Sequence, residues 1–467
     1  MRLFAAFIQL FPLVTFIMTY RKKRELLSPI NLITGLYIIR IMIPTILYCF
    51  PENYQNLSNL YLLRAVSSDG CYLLYSILQL IGYYLICLGT RVVFYVGKYP
   101  LKKQKSLLQE DRINKIELTG AESAQNLNYR IWGIVFWVIG AFAFLMIMKK
   151  TGGIIYFYAH LQYRISMTRN LDLLSWLLSL AHYGLLLIAY SYRGTKKKIG
   201  WIFFFCFVTG LMIGLGGRKP ILMLLIETIV IIHYVVSPIK LKSIFTFRNI
   251  LLCTAAFVMF VLMVSFRTEG AFERFLANPI SFFLEHNQGI TKLFMQESYV
   301  TFFMAIIYYF RTHDLWLGAS FKGLLTAIIP SSLYPAKPPV DDGMYLYSIC
   351  QGRTDIYPVM PVSELNGSSY PLETFGSMYA NFGPIGVLIG MFLVGWVIGF
   401  FYRKIQLSDY RLFYMILYTQ VLTGFEISTL RIFQIFSTMV LLNIVEFTGR
   451  HVRFVKTQKR LTYQEHK

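Results

Sequence analysis

Residues 131–148 read IWGIVFWVIGAFAFLMIM, an uncharged run that ends at once on Lys149 and Lys150. At 1.5 Å per residue a helix of this length spans about 27 Å, close to the ~30 Å hydrocarbon layer of a bilayer. Working outward in both directions, comparable apolar runs occupy 3–19, 28–50, 71–90, 173–191, 200–217, 221–237, 250–266, 384–401, 410–427 and 431–448. The pattern predicts an all-α polytopic membrane protein with about 11 transmembrane helices. The opening apolar stretch after Arg2 lacks a small-residue cleavage signature and reads as a retained first span.

Composition agrees. The 467 residues are 56% hydrophobic and 15% charged, with a mean hydropathy of +0.53. Soluble domains carry roughly 25% charged residues, so a disordered chain, a coiled coil and an ordinary soluble enzyme are excluded. Six cysteines stand mostly inside apolar runs with no CxxC pair, and they read as small core residues.

The net charge of +22 would suggest nucleic acid in a soluble protein. Its placement argues for topology instead. Loops on one side hold 28 of the 45 Lys and Arg residues, including Arg21–Arg24, the stretch 91–130, Lys196–Lys198 and the tail after Gly449. The opposite loops hold 15, spread over nearly twice as many residues. The rule that basic loops stay inside predicts an outer amino terminus and a cytoplasmic carboxyl terminus. A nucleic-acid partner is not expected.

The outer mass is concentrated between Arg267 and Pro384. The domain plan is therefore residues 1–266 with helices one to eight, 267–383 as one large extracytoplasmic loop, and 384–467 with helices nine to eleven and a basic tail. Structureless loops of that length are uncommon unless they serve a function. Within it, Tyr299–Phe310 is apolar yet too short to span, which predicts a helix lying along the membrane surface. No internal repeat supports an inverted-repeat transporter.

Ionisable residues inside spans are costly and usually line cavities or pair with one another. Arg40, His182, Glu227, His233 and Glu446 are of this kind, and a packing pair such as Arg40 with Glu227 is one expectation. At the outer boundary, Gly214–Pro220 joins two apolar runs too closely for an ordinary loop. Pro220 suits the first turn of a helix, whose amino end with Arg218 and Lys219 makes an anion site suited to phosphate. Arg267, Arg274, Arg431, Arg164 and Arg169 also fall on that boundary. Arg431 follows Ser428 and Thr429, candidate caps. Together these cations point to a polyanionic ligand.

Candidate general bases in the outer region include Glu285, His286, His313, Asp314, Asp341, Asp342 and Glu373. The adjacent pairs do not form dyads by spacing, since neighbours on a helix diverge by about 100°. Asp341 and Asp342 lack further carboxylates at ligand spacing, so no metal is expected. Motifs for nucleotide binding, zinc hydrolysis or a serine nucleophile are absent.

Three stretches together resemble the Wzy-type oligosaccharide repeat-unit polymerases of bacterial surface polysaccharides. They are Gly216-Gly217-Arg218 before a long aliphatic run, the proline-rich Ile329–Pro338, and Pro371–Pro384 leading into a glycine-rich span. The resemblance covers the layout of nearly the whole chain and about forty residues of motif. It implies a metal-independent, cofactor-free glycosyltransferase on the outer face of the bacterial cytoplasmic membrane. Such an enzyme moves a growing glycan from its undecaprenyl-pyrophosphate carrier onto the next lipid-linked repeat unit, making O-antigen or capsule. In this role Arg218, Lys219, Arg267, Arg431 and Arg164 would bind pyrophosphate, and Glu373 or His286 would be the catalytic base. Partners would be undecaprenyl-pyrophosphate-linked oligosaccharides and membrane lipid, with a chain-length regulator and a flippase. An O-antigen ligase-like transferase and a transporter or flippase of lipid-linked oligosaccharide are the rival readings.

Overall fold

The computed structural model describes residues 1–96 and 115–465, apart from 24–26, 56, 58, 169–170, 194–198, 216, 237–238, 240–245, 247–269, 286–294, 296–298, 328, 330–332, 371, 409–410 and 425–426. Among the described residues the secondary structure is helical, without strands. Among the described residues, seven helical segments are long and apolar enough to cross a membrane: Arg2–Thr19, Pro29–Leu47, Asp69–Val93, Asn126–Lys150, Leu173–Ser191, Glu373–Leu407 and Thr429–Thr448. By the length and composition of these helices the chain is an α-helical membrane protein. Shorter apolar helices at Ile199–Gly214, Pro220–Val236 and Leu412–Leu422 coincide with three further predicted spans. The predicted span at 250–266 lies outside the described residues. Phe142, Trp176, Phe204, Ile385 and Phe436 are each more than half exposed, an arrangement suited to lipid.

The chain divides into two compact units. Unit 1 comprises Met1–Lys98, Ile290–Gln406 and Gln420–Met439, and unit 2 comprises Tyr99–Gly289, Leu407–Thr419 and Val440–Lys467.

In unit 1, the Asp69–Val96 and Glu373–Leu407 helices meet backbone to backbone. A Cβ on Gly89 or Gly395 would collide with the facing main chain, and Thr90 Oγ1 donates across the gap to the Gly395 carbonyl at 3.0 Å. Small residues with an interhelical hydroxyl bond are how helices associate where lipid removes the hydrophobic drive. The Glu373–Leu407 helix begins eleven residues before the predicted span at 384. The reason is a break at Gly383, at φ 66° and ψ −155°, followed by Pro384. Proline has no N–H to donate to the carbonyl four residues back, and that carbonyl belongs to Ala380. The freed groups are taken up elsewhere: Trp316 N donates to Ala380 O and Leu317 N to Asn381 O, both at 2.9 Å.

The region between Tyr299 and Tyr370 builds a core of its own. Tyr309, Trp316, Tyr345, Ile349, Ile356, Met360 and Leu365 are buried together with Ala380. The apolar helix Val300–Tyr309, too short to span, is covered by protein. Eight of its ten residues are buried, and it packs through Tyr308 on Tyr61 and through Phe303 on Tyr75 and Phe375. A helix that is apolar all round goes inside.

In unit 2 the Lys115–Lys150 and Asp172–Ser191 helices approach as closely. A Cβ on Gly184 would stand 2.6 Å from Trp137 N. Trp137 Nε1 donates to Thr209 Oγ1 at 2.8 Å, which ties in the Ile199–Gly214 helix. Arg411 pairs with Glu446, which accounts for the ionisable residue near the end of the last predicted span.

Candidate functional site

The polar groups of unit 1 gather where the Glu373–Leu407 helix starts. Glu373 is its first residue, buried, with a φ of 49°. An L residue in the left-handed region costs about 1–2 kcal/mol, and such conformations persist where the surroundings hold them, often at functional positions. Here an ion pair with Arg40 supplies the hold, and the two side chains are 18% and 9% exposed. Arg40 projects from Ile38–Met42, a single π-helical turn in an otherwise α-helical span. Such turns commonly mark functional positions. Its guanidinium also lies 5.3 Å from the centroid of the Tyr299 ring, within cation–π range. The expected Arg40–Glu227 pair is therefore replaced by two others, Arg40–Glu373 in unit 1 and His182–Glu227 in unit 2. Sequence spacing shows which residues sit in spans, whereas pairing depends on which helices become neighbours.

One turn further along, Ser377 Oγ donates to Asp342 Oδ2 at 3.3 Å. Asp342 is 1% exposed and precedes the short helix Gly343–Cys350. Asp341 Oδ1 accepts the Gly343 N–H at 3.0 Å, leaving Asp342 to turn inward. Gly343 is required there, because the Tyr370 carbonyl and Ser369 hydroxyl occupy the space of any Cβ. Thr429 Oγ1 is within bonding distance of both Asp342 Oδ1 and the Val340 carbonyl. A hydroxyl has one hydrogen, so Thr429 donates to one of these two acceptors at a time. Burial pushes this carboxyl up to about 6, opposed in part by the Thr429 hydroxyl. Asp342 is thus a carboxyl that changes charge close to neutral pH. The sequence offers Asp342 as one of several candidate bases and as half of an acidic pair; the further local signal is its place just before a helix and after Pro338 and Pro339. Among the described residues no group of His, Cys, Asp and Glu is arranged to hold a metal ion.

Arg431 also belongs to unit 1. Ser428 Oγ caps its helix by accepting the Arg431 N–H at 3.3 Å, as the capping pattern predicted. The Arg431 guanidinium is buried and donates to the Gln420 carbonyl and to Gln434 Oε1. It turns back toward the neighbouring helix end. His313 stacks on Tyr309 with centroids 3.9 Å apart, its Nδ1 3.0 Å from the Tyr309 carbonyl.

Unit 2 holds the other predicted cations. The Ile199–Gly214 helix turns sharply into the Arg218–Ile231 helix through Leu215, at φ 41°, and a bond from Gly217 N to Gly214 O. Gly217 is the residue before the helix. Arg164, at the start of the Arg164–Thr168 helix, brings Nη1 to 3.0 Å from where a Gly217 Cβ would lie. The structure therefore joins Arg164 to the helix amino end that also carries Arg218 and Lys219 in its first turn. Arg274 is exposed, its Nε 3.4 Å from the Gly270 carbonyl. Arg267, Arg169 and His286 lie outside the described residues.

The chain matches no family model, no curated protein and no solved structure.

Proposed function

We propose that this protein polymerises undecaprenyl-pyrophosphate-linked oligosaccharide repeat units on the outer face of the bacterial cytoplasmic membrane. It would use eleven spans, with the 267–383 region outside, the amino terminus outside and the carboxyl terminus within. The observation that carries the reading is Arg164 set against Gly217 at the start of the Arg218–Ile231 helix. A helix amino end presents unbonded N–H groups and partial positive charge, and the guanidinium adds a whole charge with planar donors. Such a cluster stabilises the negative charge that develops on a departing pyrophosphate without a metal or nucleotide. The acceptor hydroxyl would lose its proton to a carboxylate or histidine, for which Glu373 and His286 remain the proposed bases.

The decisive experiment uses purified protein and a lipid-linked repeat unit, read by product length. Arg164→Ala and Arg218→Ala should each lower the polymerisation rate on the order of 10²-fold. Normal chain lengths from both variants at normal membrane levels would refute the proposal. In cells, loss of a polymerase leaves single-unit caps on the surface, whereas loss of a flippase leaves none. A transport reading has one observation in its favour, the His182–Glu227 pair, with Glu227 buried, midway along two apolar helices of unit 2.

A further inference from the structure

Two ionisable side chains in unit 2 stand far from both ends of their helices. His182 is the central residue of the apolar segment Leu173–Ser191, and Glu227 lies next to the centre of Pro220–Val236. Nine residues of helix at 1.5 Å each place His182 about 14 Å from either end of its segment, near the middle of a ~30 Å layer. Glu227 is 1% exposed. His182 Nε2 and Glu227 Oε2 share a hydrogen bond, while Glu227 Oε1 is buried with no hydrogen-bond partner among the described residues.

Leaving a buried carboxylate oxygen without a donor costs free energy, and apolar residues of similar volume would hold the two helices as well or better. Packing alone therefore does not account for the pair. The surrounding elements contribute little charge. The facing stretch 131–148 carries no ionisable side chain. The Ile199–Gly214 helix contributes Cys206, whose thiol lies beside the Thr228 side chain and within electrostatic range of Glu227. Tyr183 flanks His182 at 5.4 Å between ring centroids. Beyond Glu227, the turn Ile232–Val236 contributes Tyr234 and His233, whose Nδ1 accepts the Ile239 N–H at 2.9 Å.

We infer that His182 and Glu227 form a proton-binding site midway through the membrane layer: Glu227 Oε1 takes up a proton from solution while His182 holds the second carboxylate oxygen. Uptake forms one O–H bond on Oε1 from a hydronium ion, returns water, and changes the charge of the pair by one unit without oxidation or reduction. A site whose charge changes at mid-membrane is the element through which a proton gradient acts on helix arrangement. The inference is independent of the glycan reading, since its readout involves no glycan.

The test is infrared difference spectroscopy on the full-length protein in lipid vesicles, recorded as the medium is acidified. A protonated-carboxyl band should appear, shift in heavy water, and vanish in Glu227→Gln. Exchanging sodium for potassium should leave it unchanged. Identical spectra from wild type and Glu227→Gln would overturn the inference, as would suppression of the band by sodium, which would make the site one for a metal cation. If Glu227→Gln fails to reach the membrane, His182→Gln carries the test. Losing the imidazole hydrogen bond must move the same band, and an unmoved band would overturn the assignment.

Discussion

Replacing Glu373 by glutamine keeps shape and hydrogen bonding but takes the opposite charge away from the Arg40 guanidinium in a largely buried setting. Removing one member of a buried ion pair costs about 3–5 kcal/mol, because the remaining charge has lost water and gained nothing in return. Arg40 retains 18% exposure and the Tyr299 ring beside it, so the loss should fall at the lower end, about 3 kcal/mol. That is roughly a hundredfold in the folded-to-unfolded ratio. Arg40→Gln should cost a comparable amount, since it removes the guanidinium that faces the buried carboxylate. The double variant, with two neutral amides able to bond each other, should recover most of the deficit and give a coupling near 2–3 kcal/mol. Unfolding in mild detergent measures the four corners of the cycle. Polymerisation of lipid-linked repeat units, measured in parallel, separates the two roles of Glu373. If the carboxylate only anchors the helix start, activity returns with stability in the double variant; if it is the base, the double variant is stable and inactive. Additive single effects, within about 0.5 kcal/mol, would show that the pair does not couple and would refute the reasoning.

Other expectations follow from the same geometry. Gly217→Ala places a Cβ 2.8 Å from the Gly214 carbonyl and 3.0 Å from Arg164 Nη1, so it should displace the guanidinium and lower polymerisation as Arg164→Ala does, with product length as the measure. Asp342 holds its proton more tightly in the fold, at about 6 against 3.8 for the free group. Its stabilising contribution is therefore complete below about pH 4 and lost as pH rises through about 6, a change of up to about 3 kcal/mol. Asp342→Asn should abolish this slope in the unfolding midpoint, and an unchanged slope would remove Asp342 as its source. A single cysteine at Asn366 should react with an impermeant reagent applied from outside while one at Ser106 is spared; the reverse pattern would invert the proposed orientation.

The apolar runs made the helical membrane class legible on their own, because an uninterrupted apolar run such as 131–148 satisfies its backbone within the segment by forming a helix. Capping at Ser428 and the tight turn at Gly214–Gly217 were equally legible, being local chemistry. The partners of the buried charges were not. Arg40 meets Glu373, 333 residues away, and His182 meets Glu227, because helix neighbours are chosen by packing over the whole chain. What covers the Val300–Tyr309 helix was hidden for the same reason: its composition marks it as apolar all round, but only the fold supplies the aromatic residues of two other helices that pack on it. Asp342 stood in the sequence as one of two adjacent acids. Only the tertiary structure buries it beneath Thr429 and Ser377, and that burial makes it a proton-holding group, because desolvation acts on where a carboxyl ends up and not on its neighbours in the chain.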